Sequence, residues 1–393
     1  MRQKIKKIWF YATWFLKYSL LTVFYLIISF PLRSNKKYKD LWLISERPDE
    51  ARDNGYWLYK WILENHPEIN VRYVLSKDST DYEKMPRKDL IIRPNSAQHY
   101  IAHILSTRSI STHMHGACPG KSFCIPFLPF MRKKKTVFLQ HGITKDMINL
   151  RGGLDLITSA SEKEKELLIK SNPKYKNRVK VTGFCRYDQL IDESQKEKDK
   201  VILVMPTFRK WLRDIGRLKE PNEAFRKTEY FKAWNAFLTN EKLSQILEKN
   251  NCKLIFFPHN EMQKMAHNFS PINKRIIIGK PGEFDIQTLL KKASILVTDY
   301  SSVFFDFVYM NKPVVFYQFD QEDFYSKHYK GSGEKYPFGD ICENENRLIE
   351  EVLNTVNRQF VIDKQYSLDA SVFFKYRDTN NCCRIFNTIK EEK

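Results

Sequence analysis

The stretch of sequence that decides the fold runs from Ser294 to Asp320 and reads SILVTDYSSVFFDFVYMNKPVVFYQFD. Within it, Ile295–Val297 is apolar on both faces, as expected for a strand inside a parallel sheet. Residues 313–317, PVVFY, repeat that character after an interval of helix length. The stretch therefore predicts a strand, a helix and a second parallel strand, with a hydroxyl-rich turn after the first strand.

The turn after the first of these strands contains Thr298, Asp299, Ser301 and Ser302. At such a strand end, free backbone N–H groups and the positive end of the next helix point outward, and anions bind there. One aspartate or serine in this place usually only caps the helix. Two serines beside an aspartate exceed that need, so the turn is predicted to bind phosphate.

Four other predicted strands end in residues that suit phosphoryl chemistry. They lead into QHG at His141, FCRYD with Arg186, PTFR with Thr207 and Arg209, and PH at His259. In an open α/β sheet, ligands bind outside the carboxyl ends of the strands. A single histidine after a strand is more often structural than catalytic, but the recurrence of histidine and arginine at these strand ends favours a functional site.

In this order and spacing, the motifs resemble those of the CDP-glycerol:poly(glycerophosphate) glycerophosphotransferases, which build teichoic acids and related polyol-phosphate polymers. The resemblance covers roughly residues 41–329 and includes TSAS at 158–161 and KPVVFY at 312–317. The chain departs from the usual pattern at Phe208, where Trp is usual, and at Asn260, where Pro often follows the His.

The resemblance implies a GT-B-like pair of Rossmann-type domains and a phosphotransferase. Such an enzyme moves glycerol phosphate or ribitol phosphate from a CDP-polyol to a hydroxyl on a lipid-linked (undecaprenyl-type) or polymer acceptor, with release of CMP, in teichoic-acid or capsule-type cell-wall polymer synthesis. The resemblance gives His141 and His259 catalytic roles, with His141 as general base. Donor phosphate and nucleotide binding is predicted for Arg186, Thr207, Arg209, Asp299, Ser301, Ser302 and Asp306. No cofactor or metal is expected, because side chains and a helix end can neutralise the phosphate charge.

Strand and helix patterns alternate along all 393 residues, which favours two α/β domains over one large core. Strands are predicted at Leu41–Ser45, Val71–Leu75, Ser109–Thr112, Thr136–Leu139, Leu154–Thr158, Val179–Thr182, Val201–Met205, Leu254–Phe257, Arg275–Ile278, Ile295–Thr298 and Val314–Tyr317. The charged run DESQKEKDK between the two sets suits an exposed linker. We therefore expect an acceptor-side domain at 40–192, a linker at 193–199, a CDP-donor domain at 200–343, and helices at 344–393. By analogy with GT-B chains, these last helices pack back on the first domain.

The amino-terminal segment, residues 1–39, is predicted to associate with a membrane. Between Ile8 and Leu32 the only charge is Lys17, and the apolar run after it is about fifteen residues, shorter than the roughly twenty that span a bilayer. Basic residues lie on both sides of this segment, which favours the cytoplasmic side for both ends. We therefore predict an in-plane or re-entrant helix at the cytoplasmic face of the cell membrane. A single spanning helix and an ordinary buried first helix remain alternatives.

The formal net charge of +20 points to an anionic partner. No RNP, KH, helix-turn-helix or zinc-finger signature occurs, so nucleic acid is not expected to be that partner. An anionic membrane surface fits better, because the basic cluster Arg132–Lys135 adds to the basic residues around the apolar segment.

The cysteines number seven and lack a C-x-x-C spacing, which predicts reduced thiols in a cytoplasmic compartment. The spacing of His113, His115, Cys118 and Cys124 is not one that zinc sites commonly use. Two other functions stay open at this point. One is a GT-B glycosyltransferase that uses a nucleotide sugar, and the other is a non-enzymatic membrane scaffold of polymer export.

Overall fold

The computed structural model of this chain describes residues 2–114, 117–120, 125–144, 148–215, 218, 220–280, 282–328 and 338–391, without the side chains at 2–8, 10–12, 125, 126 and 128. The chain divides into two compact units. The first unit comprises Met1–Asp188 and Lys375–Lys393, and the second comprises Gln189–Phe374.

Both units consist of parallel strands connected by helices. The strands are β1 (Trp42–Ser45), β2 (Val71–Val74), β3 (Ile91–Ile92), β4 (Arg108–Ser111), β5 (Lys135–Phe138), β6 (Leu156–Ser159), β7 (Val179–Val181), β8 (Lys200–Met205), β9 (Cys252–Phe256), β10 (Ile276–Ile278), β11 (Ile295–Thr298), β12 (Val314–Tyr317) and β13 (Gly339–Cys342). The helices are α1 (Arg2–Ser29), α2 (Asn54–Asn65), α3 (Ala97–Leu105), α4 (Glu162–Ser171), α5 (Pro221–Arg226), α6 (Glu229–Leu238), α7 (Glu241–Lys249), α8 (Ile286–Lys292), α9 (Phe304–Tyr309), α10 (Gln321–Asp323), α11 (Glu345–Asn357), α12 (Lys364–Ser371) and α13 (Asn381–Glu391).

The sheet of the first unit has seven strands in the order β3-β2-β1-β4-β5-β6-β7. Successive side chains of β1 pack in hydrophobic clusters on opposite faces of the sheet, because side chains alternate across a strand. Ile44 packs in a cluster with residues of α2 and α13. Leu43 packs in a second cluster with residues of α3 and of the segment around α1. Apolar surface therefore covers both faces of the sheet, which explains why its strands read as continuous apolar runs.

The sheet of the second unit has six strands in the order β10-β9-β8-β11-β12-β13. Its largest core cluster joins strand residues such as Val204 and Val297 to Trp234 of α6, Leu247 of α7 and Val352 of α11. All strand pairs in this sheet are parallel. The predicted pair of parallel-sheet α/β domains is therefore confirmed.

Each strand predicted from the sequence occurs in the structure, and the bounds of β11 and β12 are those predicted. Two edge strands were missed. β3 contains only two residues, which is too short to show a period. β13 begins with Gly339, and glycine is a poor strand former, so its pattern resembles a turn.

The predicted linker at 193–199 belongs to the second unit. Glu193 and Glu197 form ion pairs with Lys291 and Lys292 of α8 at 3.3 Å and 3.0 Å. The unit boundary lies instead between Asp188 and Gln189. The sequence of this charged run resembles a linker, because the lysines that pair with its glutamates lie about a hundred residues further along the chain and are not recognisable as partners from the sequence.

The predicted carboxyl-terminal helices at 344–393 divide between the two units, with residues 344–374 in the second and residues 375–393 in the first. α11 buries Leu348, Ile349, Val352 and Val356 in the second unit. Residues 375–393 belong to the first unit, where α13 contributes apolar side chains to the core. Both oxygens of the Asp188 carboxylate accept backbone N–H groups at the start of α13, each at 2.8 Å.

One side of α1 packs on α3, where the rings of Tyr25 and Tyr100 stack at 4.9 Å. Thr22 and Ser29 are buried on the same helix. Among the helices of the described residues, none is both long enough and apolar enough to cross a membrane.

The basic cluster Arg132–Lys135 lies less on the surface than its sequence suggests. The Arg132 guanidinium donates hydrogen bonds to the carbonyls of Tyr38 and Arg33 at 2.9 Å and 2.8 Å. Lys134 turns inward toward the carbonyl of His103, and burial lowers the pKa of Lys134 to about 7. Only Lys133 of the cluster is fully exposed.

Cys185, Cys252, Cys342, Cys382 and Cys383 are free thiols, as the sequence predicts. Cys118 departs from that prediction, because it is disulfide-bonded. Disulfide formation depends on the separation of the two Cα atoms in the folded chain, which sequence spacing does not fix. His115 and Cys124 also lie outside the described residues.

Candidate active site

Both sheets have the strand order of a doubly wound fold, in which ligands bind at the carboxyl ends where the order reverses. In the first unit this point lies between β1 and β4, and in the second between β8 and β11. Thr207 and Arg209 follow β8, and Asp299, Ser301 and Ser302 follow β11. The predicted phosphate-binding turn therefore lies at the reversal point of the second sheet.

His141 lies in a strained turn just after β5. Gln140 before it has φ of 55°, a left-handed conformation that non-glycine residues rarely adopt. The buried Gln140 side chain holds this turn, because it donates to the Thr158 carbonyl at 2.5 Å and accepts from the Thr144 hydroxyl at 2.8 Å. The turn leaves the His141 side chain exposed to solvent.

The surroundings of His141 favour the neutral imidazole. Desolvation lowers its pKa from the ordinary 6.5, and the positive charge of Arg186 lowers it further. The Asp53 carboxylate and a hydrogen bond to the Thr112 carbonyl oppose this change. A ring nitrogen that donates to a carbonyl carries the proton, so the other nitrogen of the neutral ring can accept one.

His113, which follows β4, lies beside His141. The two rings are nearly parallel, with centroids 6.0 Å apart and an interplanar angle of 20°. The Thr112 hydroxyl is 3.0 Å from Nδ1 of His113. Two imidazoles therefore lie together at the carboxyl edge of the first sheet.

Arg186 points toward the His141 turn and is almost fully buried. One of its terminal nitrogens is 2.8 Å from the Asp53 carboxylate and 2.5 Å from the His141 carbonyl oxygen. Its backbone N–H donates to Asn54, whose amide in turn donates to the Gln140 carbonyl at 2.9 Å. Arg186 thus positions His141. Sequence reasoning missed Asp53, whose only signal was its place before a helix, typical of an N-cap.

In the second unit, Arg209 forms a buried network with two carboxylates. Its guanidinium makes a double contact with Asp320, at 2.7 Å and 3.0 Å, and an ion pair with Asp299 at 2.9 Å. The side chains of Arg209 and Asp299 are fully buried, and that of Asp320 is 4% exposed. Burial alone would lower the pKa of Arg209, but the two carboxylates have the larger effect and raise that pKa.

Arg209 and Asp299, both predicted as donor-binding residues, contact each other in this network. A guanidinium that is enclosed and paired with two carboxylates is not available to a phosphate. Asp299 also accepts the backbone N–H groups of Thr207 and Tyr300, at 2.8 Å and 2.6 Å. The network ties the turn after β8 to the turn after β11.

The other predicted residues of this turn differ in their exposure. Ser302 is exposed, and Ser301 is half-buried with its hydroxyl accepting the Val303 N–H at 3.4 Å, as a cap would. The Thr207 hydroxyl oxygen is buried and has no partner among the described residues. Asp306 is buried on α9, a helix of only six residues.

His259, three residues after the end of β9, is exposed and lies beside Phe208. The two ring centroids are 4.9 Å apart. Its Nδ1 accepts the backbone N–H of Glu261 at 3.2 Å. In the neutral ring the proton is therefore on Nε2.

His328 lies against the same Phe208 ring, again with centroids 4.9 Å apart, and stacks on Phe324 at 4.6 Å. Desolvation and the neighbouring charges of Lys210, Arg209 and Arg213 lower its pKa to about 4. Sequence reasoning missed this residue, because it follows α10 and not a strand.

Comparison with known proteins identifies the chain's relatives. The model of one family, CDP-Glycerol:Poly(glycerophosphate) glycerophosphotransferase, matches residues 26–391. The chain belongs to this family. The resemblance seen in the motifs is therefore confirmed, and it extends over almost the whole chain.

Two curated relatives of this glycerophosphotransferase family member come from Bacillus subtilis (strain 168). The minor teichoic acid biosynthesis protein GgaB is 31% identical over 364 residues, which are 90% of this chain and 40% of GgaB. The teichoic acid glycerol-phosphate primase is 26% identical over 247 residues, which are 60% of this chain and 57% of the primase. The chain thus spans about half the length of the curated relatives it matches.

Solved structures of the wall teichoic acid polymerase TagF have the same fold. One matches with a TM-score of 0.63 and 15% identity over 96% of this chain and 97% of the solved chain. A histidine-to-asparagine variant of TagF with CDPG matches with a TM-score of 0.65 at 15% identity, over the same 96% and 97%.

Proposed function

We propose that this chain is a CDP-polyol phosphotransferase. It transfers glycerol phosphate or ribitol phosphate from the CDP-linked donor to a hydroxyl of a lipid-linked or polymer acceptor, and it releases CMP. The polymer is a teichoic acid or a related capsule-type cell-wall polymer. Membership of the glycerophosphotransferase family carries this proposal. The relatives' names and the TagF variant studied with CDPG support the donor class and the kind of polymer.

In the proposed reaction the acceptor hydroxyl attacks the phosphorus that bears the polyol. The bond from this phosphorus to the oxygen shared with CMP breaks, and CMP leaves with that oxygen. His141 takes the proton of the attacking hydroxyl, because its ring is exposed, neutral near pH 7 and fixed by the Thr112 carbonyl with one nitrogen unprotonated. Arg186 and Asp53 act as positioning residues. Arg186 donates a hydrogen bond to the His141 carbonyl oxygen, and Asp53 holds the Arg186 guanidinium in place.

The donor phosphates are proposed to bind at the reversal point of the second sheet. His259 is exposed there with a donor nitrogen, and the Thr207 hydroxyl lacks a partner among the described residues. Ser301, Ser302 and the backbone N–H groups of their turn complete the predicted cradle. Arg209 supports this site indirectly. It pairs with the Asp299 carboxylate, which in turn accepts the backbone N–H of Thr207.

The membrane is proposed as the place of action, with α1 as an in-plane anchor on the cytoplasmic face. One face of α1 packs on the first unit, whereas Leu20, Phe24 and Ile27 on another face are 62%, 54% and 70% exposed. Their spacing of three to four residues places them on one stripe of the helix. An exposed apolar stripe of this kind, beside basic residues, suits the interface of an anionic bilayer.

An apolar groove continues this stripe. It has a volume of about 670 Å³ and is lined by Val23, Leu26, Ile27, Phe30, Pro31, Phe127, Phe130 and a single charged residue, Arg33. Phe30 and Phe130 at its rim are 69% and 67% exposed. Exposed apolar surface of this extent is typical of lipid or partner contact sites.

A panel of donors tests the proposed chemistry. The full chain is incubated with CDP-glycerol, CDP-ribitol, UDP-sugars and CMP-sugars, with and without a polyol-phosphate acceptor, and nucleotide release is measured. Acceptor-dependent CMP release from a CDP-polyol is expected, and the His141→Asn variant should abolish it. Release of UDP from a UDP-sugar would establish the glycosyltransferase alternative. No turnover with any donor would favour the scaffold alternative.

Liposome flotation tests the proposed anchor. Changing Leu20, Phe24 and Ile27 to Ser removes the exposed stripe but keeps the packed side of α1, so the variant should float much less with anionic liposomes. A matched control changes Ile272 and Val361 to Ser, which are 52% and 63% exposed in the second unit. The control should float as the natural chain does. Equal flotation of all three proteins would contradict the anchor.

A further inference from the structure

We propose that His328 is a second ligand of the donor diphosphate, acting together with His259. The inference rests on the proposed function, because it assigns His328 to the same donor site. It adds a phosphate contact that lies outside the strand-end motifs of the sequence.

The first argument is the position of the two rings. The centroids of His259 and His328 are both 4.9 Å from the centroid of Phe208. The charge of His259 is close enough to lower the pKa of His328. One aromatic ring therefore holds both imidazoles at the carboxyl edge of the second sheet, beside the turn after β8.

The second argument is the hydrogen bonding of each ring. Nδ1 of His328 accepts the backbone N–H of Lys210 at 3.1 Å, as Nδ1 of His259 accepts that of Glu261. Each neutral ring must then carry its proton on Nε2, which makes that nitrogen a donor. Nε2 of His328 has no hydrogen-bond acceptor within the described part of the chain. A phosphate oxygen is an acceptor that would satisfy it.

The third argument is the charge around the pair. The Lys210 ammonium donates to the His328 carbonyl at 2.5 Å, and the Arg213 guanidinium lies 5.4 Å from the Phe208 centroid. Lys327 lies 5.8 Å from the ring centroid of Trp211, which itself contacts His328. Lys327 is paired with Asp323 at 2.7 Å, but Lys210 and Arg213 lie beside the imidazoles, and their charge keeps His328 neutral and attracts an anion.

A pair of substitutions separates a phosphate contact from a structural role. In His328→Gln, the side-chain amide nitrogen takes the place of Nε2, but the acceptor for the Lys210 N–H is lost. In His328→Asn, the side-chain oxygen takes the place of Nδ1 and can still accept that N–H, but the donor is lost. Affinity for CDP-glycerol, without acceptor, and for cytidine, which has no phosphate, is measured by calorimetry or competition.

If His328 binds phosphate, His328→Asn should weaken CDP-glycerol binding by about tenfold to a hundredfold, as expected for a hydrogen bond to a charged group. Cytidine binding should stay unchanged, and His328→Gln should retain much of the natural affinity. The control His267→Ala changes an exposed histidine whose Nε2 lies 3.0 Å from the side-chain oxygen of Asn222 and 3.4 Å from the side-chain amide of Asn268, and it should bind CDP-glycerol normally.

The opposite pattern, in which His328→Asn binds normally and His328→Gln does not, would show that His328 only braces Lys210 and would overturn the inference. Equal affinity in all variants would overturn it as well, while the proposed function would stand. If the natural chain binds neither CDP-glycerol nor CDP-ribitol, the proposed function fails and the inference fails with it. Thermal unfolding of each variant shows that the binding comparison is made on folded protein.

Discussion

Replacing Arg209 with Met should destabilise the second unit strongly. The substitution keeps a long apolar stem but removes the guanidinium that pairs with Asp299 and Asp320. Both carboxylates would then stay buried without their cation. Tyr300 still donates its hydroxyl to Asp320 at 3.2 Å, and the backbone N–H groups at Asp299 remain, so part of the network survives.

The size of the effect follows from this burial. Removing one partner of a buried ion pair costs about 3–5 kcal/mol, because the remaining charge is left uncompensated. Two carboxylates lose their partner here, which favours the upper part of that range, and the surviving hydrogen bonds reduce it. The total stability of a domain is only about 5–15 kcal/mol, so Arg209→Met should remove a large share of it.

Urea unfolding, followed by circular dichroism and tryptophan fluorescence, measures this loss. Trp234 in the core of the second unit is fully buried and reports on that unit. The control is Arg213→Met, the same change at an exposed arginine nearby, which should alter stability by no more than about 0.5 kcal/mol. A loss below about 1 kcal/mol for Arg209→Met would refute the structural role. A stable variant with greatly weakened CDP-glycerol binding would restore the phosphate role that the sequence predicts.

Three further predictions concern the reaction. His141→Ala should lower turnover by about two to four orders of magnitude with little change in donor affinity, and near-normal turnover in a steady-state assay would exclude His141 as the base. The acid limb of the pH profile of kcat/KM should lie below pH 6.5, because His141 must be neutral to act as a base and its pKa is lowered. Asp53→Asn keeps the helix cap but removes the charge that raises the pKa of His141, so it should move this acid limb to lower pH. A pH profile that does not move would show that Asp53 has no electrostatic influence on the base. Changing both Ser301 and Ser302 to Ala should weaken binding of an intact CDP-polyol by about 1.5–3 kcal/mol for each charge-assisted hydrogen bond lost, and unchanged affinity in calorimetry would mean that the serines only cap the turn.

The places of the site residues were predictable because they depend on local pattern. Apolar runs with turn residues at their ends predicted the strands, and parallel strands bring their carboxyl ends to one edge of a sheet. His141, His259 and the serines after β11 could therefore be found without coordinates. The family motifs added specificity, since their order is preserved along the chain.

The roles of the arginines were not predictable, because a role depends on what a side chain meets. Arg209 reads like a phosphate ligand after a strand, yet Asp320, which is distant in sequence, encloses and neutralises it. Arg186 likewise meets Asp53 and the His141 turn. His328 could not be predicted from the sequence, because it lies in no strand-end motif. It contacts Phe208 only in the folded chain.

The sequence by itself thus determined the two parallel-sheet domains, the strand ends that carry the candidate site residues, and the family. Only the tertiary structure decided which cations are paired, where the boundary between the units falls, and which histidines share an aromatic neighbour. Strand periodicity and turn chemistry are set by adjacent residues, so the sequence records them directly. Charge pairing and burial are set by residues far apart in the chain, and these meet only when the sheets and helices pack.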